Sequence, residues 1–356
     1  MAVPQHIFID TSEWEELGFG KDKLLEHLMM HIEGGRVVLH TTSLTIKEVR
    51  ERVRRVTDQY DREHRQAANT GAKVGLQPAI RNPINTDSIV AEFEEFLRRA
   101  SALVHDLVNI DLGEIVRRRF AYEPPFSSSK RNEWEDALAG FALHAWAVEN
   151  QLKIIVISKD GDWGAMGKAL ETLEIQRLAQ VISEAERERA EESEAEQDFL
   201  DKLYENLSRN RGVLEHRIKL AFEGLEGIVD DRIEDEAEVE GIYVGRLVLA
   251  IEEAAVVYAD LETGYGEISV PGEVRLRADA TYGDDGSMIW NSEDGVGWYD
   301  DVVKRSIEEN MSFEVMCEVQ LEGDEFEIVQ VDIGARILLV SVHDEESGGS
   351  LRLLNR

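Results

Sequence analysis

The chain has 356 residues, 43% of them apolar, with 73 Asp and Glu against 39 Lys and Arg and a formal charge of −34. That acid excess excludes broad, sequence-independent adhesion to nucleic acid or anionic membrane, while leaving room for a local basic groove; a high-salt habitat or simple solubility would also produce it. One cysteine, Cys317, excludes an internal disulfide framework and a cysteine-built zinc cage, and no apolar run is long enough to cross a membrane.

Residues 1 to 9 lack a basic segment followed by a long apolar one, so no signal peptide is expected and a cytoplasmic protein is. His6-Ile7-Phe8-Ile9-Asp10-Thr11-Ser12 reads as a brief strand ending in a carboxylate and two hydroxyls. Asp10 suits two roles there, a helix cap or a site acid. A helical period follows through Leu24, Leu25, Leu28, Met29 and Ile32, stopped by Gly34-Gly35. Arg36 to His40 is the second strand. The helix after it carries Ile46, Val49, Val53 and Val56 on one side and Glu48 near its start. Glu48 completes a capping-box pattern with Thr45 or belongs to a metal site.

Arg50, Arg52, Arg54 and Arg55, then Arg98-Arg99, Arg117-Arg118-Arg119 and Lys130-Arg131, concentrate cationic charge before residue 135. Such runs are solvated helix faces or a groove that tracks phosphates. Residues 67 to 87, with Gly71, Gly75, Pro78 and Pro83, read as a mobile loop, and a helical period resumes from Ile89 to Ile110. Pro124-Pro125 breaks the chain. Asn132 and Glu135 have the form of a helix start, with Asp136 next and an apolar face of Ala137, Leu138, Phe141, Ala142, Ala145 and Val148 behind it. Asp136 is a dipole-stabilising acid or a site residue.

Ile154-Ile155-Val156-Ile157 is a buried strand by its β-branched run, and Ser158-Lys159-Asp160-Gly161-Asp162 puts two acids at its carboxyl end. Residues 165 to 173 read as helix and 174 to 178 as a last edge strand. This order predicts an α/β, doubly wound parallel sheet over residues 1–180. Ser183 to Glu196 has no face to bury, and 181–235 is read as an acidic helical linker whose Leu200 to Leu225 restore an amphipathic helix. From Val239 the period changes to two, as in Phe313, Val315, Cys317, Val319 and Leu321, so residues 236–356 are expected to form an antiparallel β-rich domain. Asp284-Asp285-Gly286 and Asp294-Gly295 read as turns, and Cys317 as core.

Asp10, Glu48, Asp136, Asp160 and Asp162 all fall at strand carboxyl ends or first helical turns, which a doubly wound fold gathers at one sheet edge. Carboxylates meeting there repel one another unless divalent cations lie between them, and hard oxygen ligands suit Mg²⁺ or Mn²⁺. A haloacid-dehalogenase-like phosphatase would need a second Asp where Ser12 stands, and a receiver domain would need paired acids before the first strand. Over residues 5 to 180 the sequence resembles a PIN-domain nuclease, through Ile7-Phe8-Ile9-Asp10-Thr11-Ser12, Glu48, Asp136-Ala137-Leu138 and Ile157-Ser158-Lys159-Asp160-Gly161-Asp162-Trp163. The long Arg50 to Ser129 insertion and the acidic β-rich tail depart from the pattern.

The resemblance implies a metal-dependent ribonuclease acting as a toxin, a processing enzyme or a phage-defence effector, and a homo-oligomer. Asp10, Asp136 and Asp160 would hold the cation directly, with Glu48 and Asp162 completing its shell. Ser158 would hold an acid or a phosphate oxygen, and Lys130, Arg131 or Lys159 the backbone of RNA or single-stranded DNA. The rival expectation is a PIN-like module that binds RNA or a regulatory protein without cutting, through its C-terminal domain.

Overall fold

The β-branched runs near residues 7, 38 and 155 become strands of one parallel sheet. In the computed structural model, which describes residues 3–73, 84–108, 110–127, 133–191, 193–230, 237–283, 287–291, 296–299, 301–323, 325–342 and 349–354, that sheet holds five strands. They are β1 (Gln5–Ile9), β2 (Val37–Thr42), β3 (Leu103–His105), β4 (Ile154–Ile157) and β5 (Leu173–Gln176), in the order β3-β2-β1-β4-β5. All neighbours run parallel. Ile7, Phe8 and Ile9 are at most 1% exposed, so β1 is covered on both faces, as a parallel strand between helical layers must be. The chain first builds outward from β1 to β3 and then crosses to β4 on the other side. The switch point therefore lies between β1 and β4, outside whose carboxyl ends a site is expected.

The helices of this unit are α1 (Thr11–Glu16), α2 (Lys23–Glu33), α3 (Ser43–Lys73), α4 (Thr86–Arg99), α5 (Leu112–Ala121), α6 (Trp134–Asn150), α7 (Gly161–Leu170) and α8 (Leu178–Ala190). Several expectations are corrected. The loop expected from residue 67 begins as helix, since α3 runs to Lys73; Gly75, Pro78 and Pro83 lie outside the described residues. The period read from Ile89 to Ile110 ends at Arg99: Ser101 takes a positive φ of 48°, and Leu103–His105 form an edge strand instead. α7 opens at Gly161, directly behind Asp160, rather than near residue 165. Ser183 to Glu196 does have a face to bury, because Ala185 and Ala190 are fully covered and even Glu186 is 3% exposed. The small alanines hid that face from a count of large apolar side chains.

Contacts divide the chain into two units, Met1–Ala185 and Glu186–Arg356. The second contains α9 (Glu194–Arg209), α10 (Arg211–Glu223), β6 (Glu226–Asp230), β7 (Glu238–Leu249), β8 (Ala255–Asp260), β9 (Tyr265–Gly283), β10 (Met288–Asn291), β11 (Val296–Tyr299), β12 (Val302–Glu322), β13 (Glu325–Asp332), β14 (Ile337–Ser341) and β15 (Ser350–Leu354). An antiparallel sheet of order β13-β12-β9-β7, with β8 also on β9, carries its core. The segment expected as a linker is part of that core: Leu203, Leu207, Leu214, Ile218 and Phe222 are fully buried with Val315, Cys317 and Val319, and the Phe222 ring meets Phe313 at 5.2 Å. Antiparallel pairing is not universal, since β6 joins β14 in parallel. Asp284, Asp285, Gly286, Asp294 and Gly295 lie outside the described residues. Charge is split unevenly: residues 1–185 hold 23 Lys and Arg against 29 Asp and Glu, and residues 186–356 hold 16 against 44.

One turn of this second unit admits only glycine. Between β8 and β9, Asp260 accepts the Glu262 N–H at 3.0 Å and the Thr263 hydroxyl at 2.8 Å. Gly264 then takes φ +72°, and a Cβ there would strike the Leu321 carbonyl. Its own carbonyl accepts the Leu321 N–H at 2.8 Å. Gly264→Ala is expected to cost about 1–3 kcal/mol through the strained φ and the displaced β12 backbone. A lowered urea midpoint with an unchanged slope would register it, and an unchanged midpoint would refute the clash.

Three histidines form a chain across the first sheet. His6 Nδ1 lies 2.8 Å from His40 Nε2, and His40 Nδ1 lies 2.8 Å from His105 Nε2. The His40 and His105 rings stack with 4° between planes, and the Trp146 indole of α6 packs edge-on against His40 at 4.4 Å. Burial, then the two neighbouring imidazoles, push His40 down to about 3; burial also lowers His6 and His105. With folded values below the unfolded one, the unfolded chain binds protons that the folded chain refuses. The contribution to stability is full above about pH 6.5 and is lost as pH falls towards about 3, at up to about 1.4 kcal/mol per pH unit per imidazole. The stability difference between wild type and His40→Asn, from urea unfolding, is expected to shrink steadily between about pH 7 and about pH 5. A constant difference would mean that the chain is not what refuses the proton.

Candidate active site

Asp10 is the first residue beyond β1, with φ −68° and ψ 157°, and its N–H donates to the Ile157 carbonyl of β4 at 3.0 Å. This bond brings the ends of β1 and β4 together at the switch point. Although Asp10 stands at the N-terminus of α1, its carboxylate makes no capping bond. Instead Oδ2 accepts the Ser12 hydroxyl at 2.6 Å and the Ser158 hydroxyl at 3.3 Å, and the residue is 8% exposed. The cap role therefore falls away.

Glu48 likewise declines its local role. The Thr45 N–H donates to the Thr42 hydroxyl at 2.9 Å, which opens α3, while Glu48 Oε2 accepts the Thr11 hydroxyl at 3.1 Å from a different element. Burial pushes Glu48 up to about 7, with the Thr11 bond opposing and the Glu135 and Asp10 charges adding. Asp136 lies in the first turn of α6, and the expected cap, Asn132, is outside the described residues. Burial pushes Asp136 up to about 8, followed by the charges of Asp10 and Glu133, a hydrogen bond shared with Glu133, and the charge of Glu48. Three acids from β1, α3 and α6 thus feel one another through little water.

Asp160 is placed differently. It is the N-cap of α7, accepting the Asp162 N–H at 3.0 Å, and its own N–H donates to Ser158 Oγ at 3.1 Å. Ser158 therefore ties the Asp160 backbone to the Asp10 carboxylate with one hydroxyl. Asp162 sits in the first turn of α7. Glu133 and Glu135 join the electrostatics of the site, which sequence reading missed; the signal was three acids in four residues at one helix start. Among the described residues no three His, Cys, Asp or Glu side chains, as they lie, are grouped closely enough to hold a metal ion.

The basic clusters are largely engaged by carboxylates. Arg50 pairs with Glu94 at 2.8 Å, Arg99 with Glu33 at 3.5 Å, Arg118 with Glu114 at 2.8 Å, Arg117 with Glu114 and Glu123, and Arg98 with Glu95. A cationic track along these helices is accordingly weaker than the sequence suggests. Lys159 pairs with Glu16 and Arg52 with Glu15. Lys130 and Arg131 lie outside the described residues.

A parallel sheet of this order, with acids that follow β1 and open α3 and α6 near its switch point, defines an acid-bearing α/β domain. The family model described as PIN domain matches residues 7–163, and this domain belongs to the PIN-domain family, which is in general one of nucleases that use divalent metals. The match covers somewhat under half of the chain. No curated protein and no solved structure matches it. No helix among the described residues is long and apolar enough to cross a membrane.

Proposed function

We propose that the chain is a metal-dependent ribonuclease that hydrolyses phosphodiester bonds of single-stranded or structured RNA, in the setting of a toxin or a phage-defence effector, and that it works as a homo-oligomer. The observation that carries this reading is that burial, followed by the charges of Asp10, Glu133 and Glu48, pushes Asp136 up to about 8. Buried and half-buried carboxylates that crowd one another at a switch point suit a hard divalent cation by their donor chemistry. Asp10, Glu48 and Asp136, with Asp160 and Asp162 from α7, would hold Mg²⁺ or Mn²⁺. When bound, such an ion supplies an acidified water and offsets charge building up on the phosphate.

The chain's own residues do the positioning. Hydroxyls of Ser12 and Ser158 fix the Asp10 carboxylate, Thr11 fixes Glu48, and Asp160 anchors α7 beside them. Water is the attacking group in this reading, with the three hydroxyls engaged in holding the carboxylates. The test is cleavage of labelled single-stranded RNA and DNA with Mn²⁺, Mg²⁺ or chelator: metal-dependent cutting supports the reading, and RNA over DNA ranks the substrate. One observation favours a second reading, a module that binds RNA or a regulatory protein without cutting: among the described residues no three acids are gathered for a metal. For such a module, Mn²⁺ would leave the melting temperature unmoved.

A further inference from the structure

We infer that Glu15 and Glu16 stand in for the phosphates of a bound nucleic-acid strand, masking Arg52 and Lys159, two cations beside the acid cluster, until substrate displaces them. This rests on the nuclease reading above. α1 is six residues long and starts directly behind Asp10, so its last two residues are carried to the rim of the site. From there the two neighbouring acids reach two different elements. Glu15 pairs with Arg52, one turn past Glu48 on α3, and Glu16 pairs with Lys159, between Ser158 and Asp160. The other basic clusters pair along or between surface helices. Among the described residues, only these two pairs combine consecutive acids with bases that each adjoin a site carboxylate.

The chemistry of exchange is favourable. A carboxylate and a phosphate offer a guanidinium or ammonium the same kind of charged oxygen acceptors. The Arg52 and Glu15 side chains are 36% and 34% exposed, and those of Lys159 and Glu16 are 60% and 53% exposed, so solvent reaches both pairs and an incoming anion can compete. A site lined with Asp10, Glu48, Asp136, Glu133 and Glu135 repels a polyanion, and local cations must offset that repulsion for a strand to settle. Two bases on different elements, each paired with one of two consecutive acids of α1, are matched by two phosphates of one strand. The favoured ligand is accordingly an oligonucleotide that spans the acid cluster, not a mononucleotide.

The experiment is anisotropy of a fluorescein-labelled single-stranded RNA on the full chain, in an Asp10→Asn background that spares the probe. Glu15→Gln/Glu16→Gln is expected to tighten binding by about 3- to 10-fold, and Arg52→Gln/Lys159→Gln to weaken it similarly while lowering the salt slope by about 1.4. Added to Arg52→Gln/Lys159→Gln, the two glutamines should bring no further gain. An equal gain in that background, or from Glu318→Gln/Glu322→Gln in the second unit, would reduce the effect to bulk charge and overturn the inference. Unchanged affinity in Glu15→Gln/Glu16→Gln would overturn it too. If the wild type neither bound nor cut RNA or DNA in any metal, the nuclease reading itself would fall.

Discussion

Cleavage of single-stranded RNA in Mn²⁺ is expected to fall by about 10³-fold in Asp10→Asn/Asp160→Asn, with the fold retained. The expectation follows from how the two residues are held. Asp10 makes no helix-capping bond and is oriented by Ser12 and Ser158, so asparagine removes its charge while leaving those hydroxyls an acceptor. Asp160 does cap α7, but asparagine is as good an N-cap, so the substitution tests charge rather than helix stability. Circular dichroism and a urea midpoint no lower than that of the wild type would establish that the loss is chemical. Full metal-dependent cleavage in the folded double variant would sink the mechanism, and the non-cutting module would then be the better account.

The second large effect concerns stability. Asp136→Asn is expected to stabilise the metal-free protein by about 1–3 kcal/mol at neutral pH, because burial, then the charges of Asp10, Glu133 and Glu48, oblige the Asp136 carboxyl to take up a proton on folding that asparagine does not need. The sign with pH is fixed by the direction of the shift. A carboxyl whose folded value lies above its unfolded one binds a proton on folding, so its contribution is full below about pH 4 and is lost as pH rises through about 8. Glu48, pushed up to about 7, acts in the same sense, opposite to the histidine chain. The Asp136→Asn minus wild-type difference should therefore grow between about pH 5 and about pH 8. Mn²⁺ should erase it, raising the wild-type melting temperature and not that of the variant. A difference independent of pH would mean that Asp136 is not crowded by its neighbours.

Strand positions and the acids at their ends were legible because a parallel sheet buried on both faces writes itself as short β-branched runs, and the acids at their carboxyl ends stand out against them. The β1 to β4 contact was implied by that order but needed the bond from Asp10 to Ile157 to become specific. What stayed hidden has identifiable causes. The α4 period continued through Leu103 and Leu107 on paper, and only a positive φ at Ser101 turns it into strand. Helix α8 buries alanines and Glu186, which carry little hydrophobic signal. Glu48 and Thr45 matched a capping box, and competition from Thr11, 37 residues away in sequence, was invisible to a local pattern. Of the ion pairs that engage the arginine clusters, Arg50 with Glu94 and Arg99 with Glu33 join helices far apart in the chain and follow from packing, whereas those of Arg98, Arg117 and Arg118 are local.

The uneven division of charge has a consequence for how the protein meets a polyanion. Residues 186–356 carry an excess of 28 acids, against 6 for the first unit. At roughly physiological ionic strength that field dies away within about 8 Å, whereas in very dilute salt it reaches about 30 Å. Lowering salt ordinarily strengthens a nucleic-acid contact, yet here it also lengthens the arm of a repelling polyelectrolyte covalently attached to the same chain. The two trends oppose, so affinity should pass through a maximum at intermediate salt, and a truncated first unit would lose that maximum. Affinity for a polyanion would then depend on the ionic medium through the charge of the second unit as well as through the contact itself.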